Sequence, residues 1–246
     1  MRVAIIGAAG MLGHKLALRL ARDGGIGKAK ISALLRHDVV LAPPPPAAGF
    51  AVETHLGDLS DTGEAEKLVA WKPDLIFHLA AIVSGEAEAD FEKGYRVNLD
   101  GTRNLLEAIR KSAVNPVPRL VFTSSIAVFG APFPDAIGDE FLTAPLTSYG
   151  TQKAICELLI SDYSRKGFVD GMSLRMPTVC VRPGKPNKAA SGFFSNIIRE
   201  PLNGIEAVLP VDDTVRHWHA SPRAAVGFLV QAAAWWKAKP RRWACV

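Results

Sequence analysis

The sequence predicts an α/β fold, a doubly wound parallel sheet with helices on both faces, and three observations support that prediction. Short runs of branched apolar residues alternate along the chain with stretches of helical spacing. The first run, residues 2–6, leads into the turn Gly7-Ala8-Ala9-Gly10-Met11-Leu12-Gly13 and then a helical pattern. A later run, residues 120–125, ends in hydroxyl side chains, and sheets of this class bind ligands at the carboxyl ends of their strands.

The composition is that of an ordinary globular protein. The 246 residues suffice for one large domain with a small lobe, and contents of 48% hydrophobic and 22% charged residues exclude a disordered or collagen-like chain. The formal net charge is +5, but basic residues cluster only within residues 237–242. We therefore expect no nucleic-acid partner, because an anionic small-molecule substrate accounts for the positive balance.

Three cysteines, Cys156, Cys180 and Cys245, have neither the spacing of a metal site nor an even number for a disulfide framework. The N-terminus lacks the apolar core and cleavage site of a secretion signal. No apolar run approaches the roughly 20 residues of a membrane span. We therefore expect a cytoplasmic protein with no metal site and no membrane partner.

The first strand, residues 2–6, and the helix after it frame a phosphate-binding turn. Gly7 permits a tight turn, Gly10 lets backbone N–H groups approach a pyrophosphate, and Gly13 lets the helix pack on the sheet. The positive end of the helix attracts the anion. The residues expected to hold a dinucleotide here are Gly7, Gly10, Met11, Leu12 and Gly13.

The second strand is predicted over residues 30–35, and its end should meet the adenosine ribose. Many NAD-binding proteins carry an acidic residue about 20 residues past the glycines. This sequence has Arg36-His37-Asp38, and Arg36 would suit a 2′-phosphate. NAD and NADP therefore both stay open. A third strand is predicted over residues 52–56, and a helix that starts at Ser60 or Asp61 is predicted to run through Trp71.

The fourth strand is predicted over residues 74–78, where His78 is expected to be a core histidine. The side chains of Leu79-Ala80-Ala81 are small enough for a dinucleotide to approach the backbone closely. Residues 82–85 should form a loop over the site. A long helix is predicted to follow, with apolar residues at helical spacing between 95 and 109.

The central stretch supplies the candidate catalytic residues. After the strand at 120–125, Ser148 opens a helix in which Tyr149 and Lys153, four residues apart, share one face. A phenol with a pKa of about 10 is a poor base at neutral pH. A neighbouring ammonium and a cationic nicotinamide ring both favour the phenolate. Tyr149 is therefore a candidate general base.

The last third of the chain is predicted to contribute a substrate lobe. A sixth strand is expected over residues 172–176, and the basic, Pro- and Gly-containing residues 182–194 suit a loop that captures an anion. We predict a dinucleotide-binding domain over residues 1–181 and a partial substrate-binding lobe over residues 182–246. Some C-terminal strands should return to the main domain.

These motifs together resemble the extended short-chain dehydrogenase/reductase family, which pairs a Rossmann-type sheet with a Ser, Tyr and Lys catalytic set. Residues 7–13, 95–102, 123–130 and 149–153 carry much of the likeness, which covers residues 1 to about 231. The resemblance implies that Ser125, Tyr149 and Lys153 are catalytic, with Ser124 as the less favoured serine. Lys153 would tune Tyr149 and hold the nicotinamide ribose.

The resemblance also implies cofactor contacts. Asp58 of Gly57-Asp58-Leu59 would receive the adenine amino group, although it could instead cap its own turn, and Asn98 would lie beside the catalytic lysine. NAD is the expected cofactor, with NADP left open by Arg36. The further cofactor-binding residues expected are Leu59, Leu79, Ala80, Tyr149, Lys153, Pro177 and Thr178.

For the substrate, the resemblance implies NAD-dependent oxidation at C2 of a short anionic sugar acid. Arg216 and Lys185 would bind its carboxylate, unless Arg216 forms an ion pair with Asp212 or Asp213. The other substrate-binding residues expected are Ser84, Ser125 and Tyr149.

Two other functions stay open: a nucleotide-sugar epimerase or reductase, and a catalytically silent NAD(P)-binding protein. A homodimer is left open as well. The likeness lapses beyond Ala232, where an altered tail at 232–246 would expose Trp235, Trp236 and Trp243.

Overall fold

A computed structural model of the chain describes residues 1–113, 115–138, 140–184 and 189–235. Its strands are short and mostly buried, as parallel strands covered on both faces should be. They are β1 (Arg2–Ile6), β2 (Gly25–Ile26), β3 (Ala29–Lys30), β4 (Ala33–Asp38), β5 (Ala51–Leu56), β6 (Leu75–His78), β7 (Arg119–Ser125), β8 (Asp170–Met176), β9 (Thr178–Val179) and β10 (His219–Ala220).

The helices fall between the strands, as the alternating pattern predicts. They are α1 (Met11–Asp23), α2 (Glu64–Ala70), α3 (Ser84–Ala89), α4 (Phe91–Gly94), α5 (Gly101–Ser112), α6 (Ser148–Arg165), α7 (Phe193–Leu202) and α8 (Pro222–Ala234). A π-helical turn, Tyr95–Asp100, joins α4 to α5. Short 3₁₀ turns cover Ile126–Val128 and Ala190–Gly192.

Six strands form one parallel sheet in the order β5-β4-β1-β6-β7-β8. The chain moves outward from β1 through β4 to β5, then crosses back to the other side of β1 to add β6, β7 and β8. The order therefore reverses between β1 and β6, and doubly wound sheets bind dinucleotides at such a reversal. The predicted fold class is confirmed.

The two faces of the sheet bury separate cores. In β1, Val3 and Ile5 point into a core with α1 and α8, whereas Ala4 and Ile6 point into one with α2, α5 and α6. This alternation follows from the period of two in a strand. Each fully buried Leu, Ile or Phe side chain contributes about 1.5 to 3 kcal/mol relative to an exposed one. The cores thus hold the strand ends of the site in place.

The predicted second strand, residues 30–35, is wrong in its bounds. Residues 25–30 form a small antiparallel hairpin of β2 and β3, with Gly27 at a φ of +57° in its turn. The sheet strand β4 begins only at Ala33 and runs to Asp38. Arg36 therefore lies within the strand, and Asp38 lies at its carboxyl end.

Two predicted helices also differ in detail. The helix expected from Ser60 or Asp61 begins at Glu64, because Gly63 in front of it has a left-handed φ of +81°. The long helix expected over residues 95–109 exists, but its first part widens into the π turn Tyr95–Asp100. Such turns occur mostly at functional sites, and this one carries Asn98.

The end of the described chain packs against the main sheet through α8, while β10 belongs to a separate two-stranded sheet. β10 pairs in parallel with β9, and α8 packs against α1. The boundary at residue 182 stays a prediction, and residues 236–246 of the predicted tail lie outside the described residues. Among the described helices, none is both long and apolar enough to cross a membrane.

Candidate active site

The candidate active site is a cleft of about 320 Å³ at the carboxyl ends of β1 and β6. The glycine turn forms one part of its lining, and Val179, Arg182, Pro183 and residues of α7 form another. Pockets that bind small ligands and cofactors begin at about this volume. The predicted cofactor residues that line the cleft are Gly7, Gly10, Met11, Leu12, Gly13 and Leu79.

The three glycines of the turn have different surroundings. A Cβ on Gly13 would lie 2.1 Å from the carbonyl oxygen of Gly7, and one on Gly7 would lie 2.6 Å from the backbone nitrogen of Ala80. A Cβ on Gly10 would meet only that Gly7 oxygen, at 3.4 Å. Gly7 and Gly13 therefore permit close packing of the backbone, whereas Gly10 leaves open space in the cleft. This arrangement fits a bound dinucleotide diphosphate beside the start of α1.

The end of β4 supplies an acidic residue that the shifted strand prediction missed. Asp38 Oδ2 accepts a hydrogen bond from the Ala9 backbone N–H at 2.8 Å, so its carboxylate lies beside the glycine turn. An acidic side chain at this position can accept the ribose hydroxyls of NAD. The distance of Asp38 from the glycines in sequence is the signal that could have identified it. The predicted strand bounds, residues 30–35, place Arg36 at the strand's end instead.

Arg36 is buried, and its guanidinium is bonded to other parts of the chain. Its guanidinium donates to the carbonyl oxygens of Ala42 at 3.1 Å and Pro43 at 2.6 Å, and to Thr54 Oγ1. These bonds tie β4 to β5 and to the loop between them. Arg36 is therefore a structural residue in this conformation, and it gives no support to a 2′-phosphate site.

Asp58 caps its own turn, which was the alternative left open by the sequence. Its Oδ1 accepts hydrogen bonds from the backbone N–H of Ser60 at 2.9 Å and from the Ser60 hydroxyl at 2.7 Å. Arg96 contacts Oδ2 at 3.3 Å. The neighbouring Leu59 is buried in the core beneath α5. The assigned contact of Asp58 with adenine stays a prediction.

Ser125, Tyr149 and Lys153 come together at the end of β7. Ser125 is the last residue of the strand; its hydroxyl oxygen accepts from the Ala127 backbone N–H at 3.1 Å, and the side chain is near enough to the Tyr149 phenol to favour the phenolate. Tyr149 and Lys153 lie one turn apart at the start of α6. A Cβ on Gly150 would lie 2.2 Å from the carbonyl oxygen of Ala127, so the missing side chain lets α6 approach the strand end closely.

The environment changes the acidity of both helix residues. Burial raises the pKa of the Tyr149 phenol, while the Ser125 hydrogen bond and the charge of Arg182 lower it. Burial lowers the pKa of Lys153 to about 8. Lys153 Nζ donates to the carbonyl oxygen of Thr123 at 2.8 Å and lies 5.7 Å from the centre of the Tyr149 ring. Perturbed groups grouped around a cleft are typical of active sites.

The alternative serine, Ser124, faces the other way. It is buried and donates to Glu157, which also forms an ion pair with Arg175 at 2.8 Å. This network joins the ends of β7 and β8 to α6 behind the catalytic residues. Ser124 therefore supports the site without entering it.

Asn98 lies in the π turn beside the catalytic helix. Its Oδ1 accepts from the backbone N–H of Ile82 at 2.9 Å, and its Nδ2 donates to Gln152 Oε1 at 2.7 Å. Gln152 directly precedes Lys153. Through Ile82, Asn98 fixes the start of the loop at residues 82–85. Through Gln152, it also fixes the position of α6.

Three further predicted residues lie around this centre. Thr178 Oγ1 is 2.7 Å from His217 Nε2 and follows Pro177, which links β8 to β9. Ser84 Oγ accepts a hydrogen bond from the Ala190 backbone N–H at 3.0 Å. That bond holds the start of α3 against the loop before α7, so Ser84 helps to close the cleft.

Of the two predicted carboxylate-binding residues, Arg216 lies in the described part of the chain. Arg216 is exposed, it does not line the cleft, and within the described part of the chain no ion pair joins it to Asp212 or Asp213. Lys185 lies outside the described residues. The basic side chains that do line the cleft are Arg182 and Arg199, of which Arg182 begins the predicted basic loop.

His78 is a core histidine, as its apolar strand predicts. It is 2% exposed, and its Nε2 lies 2.9 Å from Thr102 Oγ1. Burial, together with the charge of Lys153, lowers the pKa of His78 to about 3. Within the residues that the structure describes, no group of three or more His, Cys, Asp or Glu side chains is placed to hold a metal ion.

Comparison with known proteins places these features in a family. The chain is 50% identical over 234 residues to a D-erythronate dehydrogenase of Cupriavidus necator, an alignment that covers 94% of this chain and 71% of that one. It is 47% identical over 232 residues to a D-erythronate dehydrogenase of Haemophilus influenzae, which covers 94% of this chain and 72% of that one.

A solved structure shares both sequence and fold. The crystal structure of a nucleoside-diphosphate-sugar epimerase from Agrobacterium tumefaciens is 64% identical, with a TM-score of 0.90, over 95% of this chain and 69% of that one. The sequence profile of the NAD dependent epimerase/dehydratase family matches residues 3–220. The fold, the glycine turn and these matches agree with the expected family and with its cofactor, NAD. The chain belongs to the NAD dependent epimerase/dehydratase family, within the extended short-chain dehydrogenases/reductases.

Proposed function

We propose that the protein oxidises D-erythronate at C2 to 2-oxo-D-erythronate with NAD. The observation that carries this proposal is the grouping of Ser125, Tyr149 and Lys153 at the end of β7, where Lys153 binds the carbonyl oxygen of Thr123, a residue that lines the cleft beside the glycine turn. We choose D-erythronate as the substrate because two relatives, 47% and 50% identical to this chain, are named D-erythronate dehydrogenases. The protein is thus an oxidoreductase that acts on a CH–OH group.

In the proposed reaction, NAD supplies a nicotinamide ring that accepts a hydride from C2. Tyr149 takes the proton of the C2 hydroxyl as general base. Ser125, which lowers the pKa of the Tyr149 phenol and so favours the phenolate, orients that hydroxyl. Lys153, anchored on the carbonyl oxygen of Thr123, places an ammonium near the phenol and the expected ribose position. Asp38 is the candidate ligand of the adenosine ribose.

A second candidate is a nucleotide-sugar epimerase that uses the same catalytic residues. The name of the 64% identical Agrobacterium protein favours it. Sugar nucleotides carry a diphosphate, so this reaction needs a larger anion site than a four-carbon acid does. The catalytic residues alone do not separate the two, since both begin with hydride transfer from a sugar carbon.

The test is a screen of four-carbon sugar acids and of UDP-glucose with NAD and with NADP, following the absorbance of the reduced cofactor. We expect D-erythronate with NAD to give the highest kcat/KM. Interconversion of UDP-glucose and UDP-galactose without net cofactor reduction, and no turnover of any acid, would instead identify an epimerase. A chain that binds NAD but turns over neither class would be catalytically silent.

A further inference from the structure

The chemistry of a 2-hydroxy acid restricts where its carboxylate can bind. The carboxylate carbon is bonded directly to the carbon that loses the hydride. A group that binds the carboxylate must therefore lie within a few ångströms of the hydroxyl that Tyr149 deprotonates. This condition rests on the proposed function. Arg216 is exposed and is not among the residues that line the cleft.

Arg182 shares the cleft with Thr123, whose carbonyl oxygen binds Lys153 Nζ of the candidate catalytic set at 2.8 Å. It lines the cleft together with Val179 and Pro183. Burial raises the pKa of the Tyr149 phenol, and the positive charge of Arg182 opposes that rise by favouring the phenolate. Arg182 is thus the cleft cation that is electrostatically coupled to the reacting hydroxyl. A guanidinium is also planar and can bind a carboxylate through two parallel hydrogen bonds, in a bidentate geometry.

The fold holds Arg182 at several points. Its backbone N–H donates to the Ser195 hydroxyl at 3.0 Å, and its carbonyl oxygen accepts from Arg199 Nη1 at 2.7 Å. Both partners lie on α7, and Ser195 is 1% exposed. The Arg182 side chain donates through Nε to the carbonyl oxygen of Val179 at 3.2 Å. A side chain fixed in this way loses little conformational freedom when it binds an anion.

The other cleft cation, Arg199, serves a different purpose. Its guanidinium forms an ion pair with Glu200 and donates to Asn196 Oδ1 at 2.8 Å as well as to the Arg182 carbonyl oxygen. The charge of Arg199 is therefore matched within α7, and its bonds are used to hold the chain. Arg199 is a positioning residue for Arg182.

We propose that Arg182 binds the substrate carboxylate and is the residue that selects sugar acids over neutral sugars of the same length. In this role Arg182 replaces Arg216 as the anion-binding residue. Ser195 and Arg199 on α7 keep Arg182 at the correct distance from Tyr149. Cofactor binding at the glycine turn does not depend on Arg182.

The experiment compares D-erythronate with its uncharged amide as substrates of the wild type, Arg182→Gln and Arg182→Lys. The loss of one charged hydrogen-bonding pair should lower kcat/KM for the acid by about 10- to 100-fold in Arg182→Gln. Activity on the amide should change little, and the Kd of NAD, measured by fluorescence, should be unchanged. Arg182→Lys should retain part of the preference for the acid, because the charge remains and the planar fork is lost. Arg165→Gln, an exposed arginine at the far end of α6, is the matched control.

The outcomes separate this inference from the function on which it rests. A wild type that is inactive on every sugar acid would overturn the proposed function and this inference with it. If the wild type is active and Arg182→Gln prefers the acid over the amide as strongly as the wild type does, the inference is wrong and the proposed function stands. A variant that loses NAD affinity in parallel with activity would show that Arg182 binds the cofactor diphosphate, which also contradicts the inference. Far-ultraviolet circular dichroism and the Tm of each variant identify misfolded protein.

Discussion

At the scale of single residues, two opposing effects set the acidity of Tyr149. Burial disfavours the charged phenolate, and the Ser125 hydrogen bond and the Arg182 charge favour it. Lys153, with its pKa lowered to about 8, can change its charge close to neutral pH. Proton transfer at this site therefore depends on groups that the fold has placed, rather than on the ordinary acidity of a phenol.

The Ser125→Ala variant tests this balance. The variant loses a hydrogen bond that favours the phenolate, so the pKa of Tyr149 should rise and the increase of kcat/KM with pH should move to higher pH. The pH dependence of kcat/KM for D-erythronate is the measurement. Ser124→Ala is the matched control, because that hydroxyl is bonded to Glu157 behind the site. Identical pH profiles for wild type and Ser125→Ala would contradict the assignment.

The glycine turn allows a second prediction for single residues. Gly10 has an extended backbone that alanine can adopt, so Gly10→Ala should keep stability within about 0.5 kcal/mol while its methyl group weakens NAD binding. Gly13→Ala places a methyl group 2.1 Å from the Gly7 oxygen and should destabilise the fold by about 2 kcal/mol or more. Urea unfolding and NAD titration measure the two effects. Equal losses of stability in both variants would contradict this distinction.

At the scale of strands and helices, the sequence predicts the elements better than their ends. The apolar runs of β1, β6 and β7 were sufficient to predict these strands, because each is buried on both faces. The start of β4 could not be predicted, since the hairpin at residues 25–30 depends on the burial of Ile26 and Ile31 in the core. Because the predicted strand ended three residues too early, Arg36 was assigned to the ribose position that Asp38 occupies at the end of β4.

The contact between β6 and α5 predicts a pH effect on stability. His78 in the folded state binds a proton only near pH 3, whereas an unfolded histidine does so near pH 6.5. The unfolded state therefore holds more protons between these values, and stability falls as the pH falls through this window. One such proton changes the free energy of unfolding by about 1.4 kcal/mol per pH unit.

The His78→Leu variant isolates this contribution. Its free energy of unfolding should depend less steeply on pH between pH 6 and 4 than that of the wild type, by up to the slope of one proton. Urea unfolding at a series of pH values measures both slopes. Wild type and variant with the same slope would show that His78 titrates normally in the folded protein.

At the scale of the whole molecule, the sequence could not show which cations reach the cleft. Arg182 and Arg216 both lie in segments without long regular structure, and only the packing of α7 against residues 179–182 decides between them. The grouping of the candidate catalytic residues was easier to predict, because Tyr149 and Lys153 share one helix and Ser125 ends the adjacent strand. Local spacing was thus enough to bring these candidates together, and long-range packing determines which cations line the cleft.

The lobe also exposes apolar side chains. Leu202 and Val208 are 82% and 73% exposed, and Ile198, Ile205 and Leu209 nearby are exposed as well. Exposed apolar surface of this kind promotes association. We expect the chain to self-associate at micromolar concentration, and Leu202→Lys with Val208→Lys to reduce that association. Light scattering measures the effect, with Leu142→Lys as a control elsewhere on the surface. The expectation would be contradicted if light scattering showed a monodisperse monomer for the wild type and for the substituted variant alike.

The most direct measurement of the proposed catalysis is the rate of NAD reduction with D-erythronate by the wild type and by Tyr149→Phe, with the NAD affinity of each. The phenylalanine ring keeps the packing at the start of α6 and removes only the proton acceptor. Turnover should fall by about 10² to 10⁴, the usual contribution of a general base, while the Kd of NAD stays the same. Turnover by Tyr149→Phe at the wild-type rate would contradict the role of Tyr149 and the catalytic set built around it.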